Sequence, residues 1–338
     1  MSKEHEENIN KEFAKAEGTH ETEGIQVEAT ETPNTVVKEL GKVDVNRQMN
    51  KVTADDPEVK RLNAMIGYTR LDLNKFPSKG KFYRDDLEIH IRPAKVAEVR
   101  SFSTIDEEDL MEVDEGLNNL IISCCKVMYG TQRGSYKDIL EEDRIYLILS
   151  VRELTFKTGE QTLMMPVGKK SCKNSSCVSQ ESMELRTTNL QFNSVVERFE
   201  KYYDEVDRCY SVATKNYGVI KMAPPTIGVM RAITEYIRDK ESNNQTWDKS
   251  TLSILPYLQR EWRGWAEKDI FAVITSFQGW DSTKYTIVYR LAEDMKVGVK
   301  PDMVFPCKSC GEEVTVPLTF PGGIKALFLI PDISSELL

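Results

Sequence analysis

The sequence is poor in histidine. Only His5, His20 and His90 occur in 338 residues, and two of them fall near the amino terminus. Imidazole catalysis would therefore rest on His90. That residue sits in the alternating stretch Leu87-Glu-Ile-His-Ile91, where it reads as a solvent-face strand residue. No G-x-S-x-G, phosphate-binding Walker loop or H-E-x-x-H occurs, so the familiar signatures of serine hydrolysis, nucleotide hydrolysis and zinc proteolysis are missing. Long apolar runs are missing too. Ile145-Tyr-Leu-Ile-Leu149 and Ala326-Leu-Phe-Leu-Ile330 fall far short of the roughly 20 residues that span a bilayer. The polar start Met1-Ser-Lys-Glu-His has no apolar signal region. Seven cysteines without such a signal predict a reducing compartment.

Aromatic residues are nearly absent from positions 1–60, with Phe13 the exception. The same segment carries 14 Asp/Glu against 8 Lys/Arg, a net of −6 out of −9 for the whole chain. Little apolar surface is available there to offset chain entropy. The composition predicts a disordered acidic tail over residues 1–65 and a folded body over 66–338. A weakly acidic body is a poor platform for phosphate neutralisation, which disfavours nucleic acid as the main partner.

What the chain does have is two cysteine pairs. Cys307-Lys-Ser-Cys310 is followed by Gly311, and Cys172-Lys-Asn-Ser-Ser-Cys177 lies about 135 positions earlier. Both spacings suit structural zinc, which takes four ligands in a tetrahedron. Each pair supplies two, so Cys172, Cys177, Cys307 and Cys310 are expected to form one zinc site. Four thiolates leave no open position for catalysis, and the zinc would be structural. The flanks Thr162–Val167 with Met183–Thr187, and Asp302–Phe305 with Val314–Leu318, predict a β-hairpin around each pair, in the manner of a zinc ribbon. A redox pair and unmetallated thiols are the competing readings; no βαβ pattern surrounds the C-x-x-C to favour redox chemistry.

Between these features the chain reads as mainly helical, an α+β fold overall. A strand over Leu87–Arg92 ends at Pro93. Thr104-Ile-Asp-Glu107 has the form of a capping box opening a helix through Leu110, Leu117, Ile121, Cys124 and Val127, with Gly130 as its stop. A second helix is expected from Tyr136 to Leu154, with Glu142, Asp143, Arg144 and Arg152 as surface or end groups. Lys75, Lys79 and Lys81 read as a solvated loop. A charged helix is expected from Ser194 to about Ala213, and others over 226–240 and 282–295. Pairing the cysteines would make residues 194–295 a helical insertion between two halves, 66–193 and 296–338. Trp247, Trp262, Trp265 and Trp280, with Tyr257, Phe271 and Phe277, supply rings for a core or an interface.

Several motifs recur in a recognisable order. Pro77-Ser-Lys-Gly-Lys-Phe-Tyr83 is followed by Ile91-Arg-Pro93 and a Glu-rich helix start. Asp143-Arg-Ile-Tyr-Leu-Ile-Leu149 comes next, with Arg152-Glu-Leu-Thr-Phe156, then the cysteine pairs and Phe320-Pro-Gly-Gly-Ile. Residues 68–338 thereby resemble the baseplate hub and hub-assembly proteins of T-even-like contractile-tailed bacteriophages. The resemblance implies a non-enzymatic virion or assembly protein, with no catalytic residues to carry over and no small-molecule substrate. Its partners would be other tail and baseplate proteins, and itself. Its location would be the virion tail baseplate, or host cytoplasm during assembly. The alternative from another class is a zinc-ribbon, nucleic-acid-binding regulator of viral transcription or replication.

Overall fold

The computed structural model describes residues 65–156, 163–167, 172, 174, 177, 182–262, 267–320 and 322–328. The expected acidic tail lies outside the described residues, as do the side chains of Trp262, Trp265 and Phe271.

Alternation of apolar and polar residues builds the first sheet, ordered β1-β2-β3-β4 and antiparallel throughout. Its strands are β1 (Thr69–Arg70), β2 (Leu87–Ile91), β3 (Cys125–Tyr129) and β4 (Gln132–Arg133). Strand β2 buries Leu87, Ile89 and Ile91, and on its other face His90 Nε2 sits 3.0 Å from Glu88 Oε2. Two helices, α1 (Val96–Ser103) and α2 (Leu110–Cys124), connect β2 to β3.

Helix α2 differs from expectation at both ends. Its cap is Asp109, whose Oδ1 accepts from Met111 N at 2.8 Å and Glu112 N at 3.3 Å. Thr104 instead donates to Ser101 O at 2.9 Å, closing α1. The helix stops at Cys124, because Cys125–Tyr129 pairs residue for residue with β2. Apolar residues at helical spacing continue into Val127, but an open strand edge beside them gives those backbone groups better partners. Cys124 is buried as expected, whereas Cys125 is a strand residue.

The second expected helix also begins late. Tyr136–Asp138 and Glu141–Asp143 are single 3-10 turns, and α3 runs over Arg144–Thr155. Ile139 and Leu140 between the turns are extended and dock on the later chain, with Ile227 N donating to Ile139 O at 2.7 Å. Helix α3 buries Tyr146 through Val151 without interruption. Such a helix lies inside the core and has no polar face.

The first cysteine hairpin is β5 (Leu163–Pro166) with β6 (Ser182–Leu185). After it the charged helix predicted from Ser194 is absent. The segment holds β7 (Phe192–Asn193), one turn of helix α4 (Glu197–Glu200) and a three-stranded antiparallel sheet, β10-β9-β8. Those strands are β8 (Tyr203–Asp204), β9 (Cys209–Thr214) and β10 (Gly218–Met222). Gly218 at φ 70° closes the β9–β10 turn. The aromatic and β-branched residues read as one helix face (Phe199, Tyr202, Tyr203, Val206) thus divide among a short helix, a strand and a turn.

Helix α5 (Ile227–Ser242) begins at Thr226, whose Oγ1 accepts from Val229 N at 3.3 Å. Helices α6 (Lys249–Ile254), α7 (Glu267–Gln278) and α8 (Ser282–Asp294) follow. Tyr257 and Phe277 are core residues, and Trp280 stacks on Phe277 at 4.1 Å between ring centres. The chain then returns. β11 (Gly298–Val299) pairs with β7, so residues 192–193 and 298–299 are antiparallel neighbours. The second cysteine hairpin, β12 (Asp302–Pro306) with β13 (Glu313–Pro317), buries Met303, Phe305, Val314 and Val316 on one face. No described helix is long and apolar enough to cross a membrane.

Candidate metal centre

Each hairpin carries its cysteine pair between its two strands. In the second, Cys307 N donates to Glu312 O at 2.7 Å and Gly311 N to Cys307 O at 2.8 Å. Gly311 adopts φ 77°, a conformation that costs a residue with a Cβ about 1 kcal/mol or more. This turn aims the backbone N–H groups of Cys310 and Ser309 at the Cys307 sulfur, and they pull its thiol down to about 7. A thiol held there loses its proton to solvent readily, leaving the thiolate that ligates metal. In the first hairpin Cys177 N donates to Asn174 O at 3.0 Å. A lone antiparallel bridge between Cys172 and Val314 brings that loop against β13.

The two turns meet. Cys172 Sγ lies 3.4 Å from Cys310 Sγ, and Cys177 Sγ lies 3.7 Å from Cys307 Sγ. All four sulfurs fall within 4.8 Å of one another. A tetrahedral thiolate site with metal–sulfur bonds of about 2.3 Å has edges of about 3.8 Å, so the cluster has the size of a metal site. Four cysteines distant in sequence are thus close enough to bind one metal ion. They are the only group of three or more Cys, His, Asp or Glu ligands so placed among the described residues. Cys307 is buried, Cys172 and Cys177 are half-buried, and Cys310 is exposed.

No protein-family model, no curated protein and no solved structure matches this chain. The chemistry of the site is therefore read from its own atoms.

The other cysteines are placed differently. Cys209 is buried on β9, apart from the four. Burial pushes the Cys124 thiol up to about 12, with Glu98 adding to the shift, and burial also raises the Cys125 thiol well above its ordinary value. Such thiols are poor ligands and nucleophiles at neutral pH.

A second polar cluster was not legible in the sequence. Glu142, Asp143, Arg144 and Arg152 read in the sequence as helix-surface or helix-end groups; Asp143, Arg144 and Arg152 do lie near the ends of α3, but buried rather than in solvent. Asp143 Oδ1 accepts from Ser78 N at 2.9 Å, and its Oδ2 accepts from Ser78 Oγ at 2.5 Å and from the Tyr83 hydroxyl at 2.8 Å. Leu140 N donates to that same hydroxyl oxygen at 3.0 Å. Burial still outweighs these bonds and lifts the Asp143 carboxyl to about 6. Burial raises Glu142 as well, with Asp143 and Glu141 adding repulsion. Arg144 is paired with Asp114 at 2.5 Å and Glu141 at 3.1 Å. The signal that could have found the cluster is the run following Asp143, whose apolar residues leave α3 no exposed face.

The loop 76–83 is held on its other side by Lys81. Its ammonium pairs with Glu200 and lies 4.1 Å from the centre of the Tyr203 ring. The lysine expected in solvent is therefore enclosed by an aromatic ring and a carboxylate.

Proposed function

We propose that this chain is a non-enzymatic structural or assembly protein of a bacteriophage tail baseplate hub. In this reading Cys172, Cys177, Cys307 and Cys310 hold a structural zinc ion between two zinc-ribbon-like hairpins. Support for the phage assignment comes from the ordered motifs. One contact carries it further: the Pro77-Ser-Lys-Gly loop and the Asp143-Arg-Ile-Tyr-Leu-Ile-Leu helix meet through the buried Asp143 carboxylate. Motifs that recur together for structural reasons should touch, and these two do. Support for zinc comes from the ligand set. Four thiolates suit a borderline-soft ion without redox chemistry, fill its coordination shell and leave no position for substrate.

Zinc would act here as a clasp between the hairpins at 163–185 and 302–317. Structural zinc contributes directly to folding free energy, because the unfolded chain has no preformed site. The test is a pull-down with tagged protein from infected-cell lysate, together with mass spectrometry of purified particles. Recovery of tail proteins supports the reading, and presence in particles places the protein in the virion. Recovery of DNA or polymerase without any tail protein overturns it in favour of a zinc-ribbon regulator.

A further inference from the structure

The seven cysteines all lie among the described residues, and they differ in their access to solvent. Cys124, Cys125, Cys209 and Cys307 are buried, and Cys172 and Cys177 are half-buried. Of the seven, Cys310 alone is exposed. It sits between β12 and β13, with the exposed residues Lys308, Ser309, Gly311 and Glu312 around it. A diffusing oxidant therefore meets this sulfur before any other.

Exposure by itself would make Cys310 an ordinary surface thiol. Two further features set it apart. The first is a close neighbour on the other hairpin: Cys172 Sγ lies 3.4 Å away, and all four sulfurs fall within 4.8 Å of one another. A disulfide bond is about 2.0 Å long, so these two sulfurs need to close by only about 1.4 Å. The second is protonation. A cysteine that ligates metal is a thiolate at neutral pH, and the thiolate is the form that attacks peroxide.

Pairing within the C-x-x-C turn is less favourable. The Cys307 sulfur is buried, receives the backbone N–H groups of Cys310 and Ser309, and lies 3.7 Å from Cys177. Those hydrogen bonds engage its lone pairs and hold it toward the interior. Cys172 is thus the more accessible partner for a modified Cys310.

We propose that Cys310 is an oxidation site for small hydroperoxides and that Cys172 resolves it, so that a disulfide replaces the metal as the link between the two hairpins. The Cys310 thiolate attacks the O–O bond of hydrogen peroxide, giving a sulfenic acid and releasing hydroxide. The Cys172 thiolate then attacks that sulfur, and a second hydroxide leaves as the S–S bond forms. Two thiolates and one hydrogen peroxide thus give one disulfide and two hydroxide ions; the thiolates lose two electrons and the peroxide gains them. Only Cys177 and Cys307 remain as ligands, too few to complete a tetrahedron, and the metal is lost. The link between hairpins survives, because positions 172 and 310, 138 apart, are now joined covalently. A cross-link over so long a stretch restrains the unfolded chain strongly. The proposal rests on the reading of the four cysteines as one metal site and not on the phage assignment.

The test titrates hydrogen peroxide into the full chain as purified, with a chromogenic chelator reporting released metal. Iodoacetamide then blocks the remaining thiols, and mass spectrometry maps the linked peptides. About one metal ion should be released for each Cys172–Cys310 link formed, and dithiothreitol with added zinc should reverse both. With chelator present, the oxidised protein should melt above its reduced form. In Cys172→Ser the sulfenic acid should persist at Cys310 and be trapped by dimedone; the wild-type map decides the matter should that variant not fold. A main product joining Cys307 to Cys310, or Cys172 to Cys177, overturns the proposal, because neither spans the hairpins. So does oxidation that begins at another cysteine, that runs on to sulfinic acid at Cys310 without a link, or that never occurs while metal is retained. Protein that carries no metal as purified fails the metal reading instead, and the linked-peptide map of that same sample still decides the disulfide.

Discussion

The Tyr83 hydroxyl donates to Asp143 at 2.8 Å while accepting from Leu140 N at 3.0 Å. Sixty positions separate the two side chains, and the hydrogen bond ties the loop at 76–83 to the start of α3. With Ser78 also bound, the carboxylate is satisfied, yet it remains costly to ionise. Its pKa of about 6 lies roughly two units above the ordinary aspartate value, a cost of about 3 kcal/mol when charged.

That shift has a definite sign. A raised folded-state pKa contributes stability below the unfolded value near 4, and the contribution is lost as pH rises through about 6. Asp143→Asn should flatten this part of the stability–pH curve, measured by urea unfolding between pH 4 and 7. The carboxyl carbon of Asp143 should titrate near pH 6 by NMR; titration near 4 would remove the basis for the claim.

Tyr83→Phe should destabilise by about 1–3 kcal/mol, since Leu140 N loses its buried acceptor. The paired change Tyr83→Phe with Asp143→Asn should cost less than the sum of the single changes. Strict additivity in denaturant melts would mean that the hydrogen bond carries no coupling energy.

Protein purified without chelator should carry about one zinc per chain, measured by atomic absorption. Cys310→Ser should remove most of it and lower the melting temperature. Replacing Cys172 and Cys177 together should do the same. Full occupancy in that double variant would show that the two pairs do not share one ion.

Glu98 behaves oppositely to Asp143. Hydrogen bonding from Arg92 holds its carboxyl down to about 2. A depressed pKa contributes stability above the unfolded value near 4.5, and that contribution is lost as pH falls through about 2. Glu98→Gln should therefore lower stability at pH 7 and have little effect at pH 2. Equal loss at both values would assign Glu98 a packing role only.

Gly323→Ala should be among the more damaging small substitutions. The residue has φ 78°, and an added Cβ would fall against the Glu107 carboxylate. The expected loss is about 1–3 kcal/mol by thermal unfolding. Glu107→Ala in the same background should recover the steric part but not the backbone part.

Some of this architecture was legible because the local signals were strong and nothing competed with them. Leu87–Ile91 alternates cleanly, and Thr226 caps a helix of the expected position and nearly the expected length. The cysteine spacing pointed to residues that do converge, since two ligands alone cannot complete a tetrahedron. Other regions were decided by distant partners. Cys125–Tyr129 keeps helical spacing, yet it pairs with β2, a strand more than thirty residues earlier. The stretch after Ser194 alternates charge and aromatics in a way that fits helix or hairpin, and the strand partners Cys209–Thr214 and Gly218–Met222 settled the matter. Asp143 reads as a surface or helix-end charge, and its burial at the start of α3 is hidden because its partners, Ser78 and Tyr83, lie in a loop whose path the sequence does not show.

The clasp between Cys172–Cys177 and Cys307–Cys310 also has a meaning in time. Cys177, the second member of the first pair, is added to the chain 130 residues before Cys307. At synthesis rates of roughly 5–20 residues per second, that is a wait of about 6–26 seconds with half a coordination shell. A two-thiolate fragment holds metal far more weakly than the completed four. Any chain broken off before residue 310 therefore lacks the fourth thiol, and, if the centre takes a metal ion, metal content in a population of nascent chains would count those in which synthesis has passed Cys310.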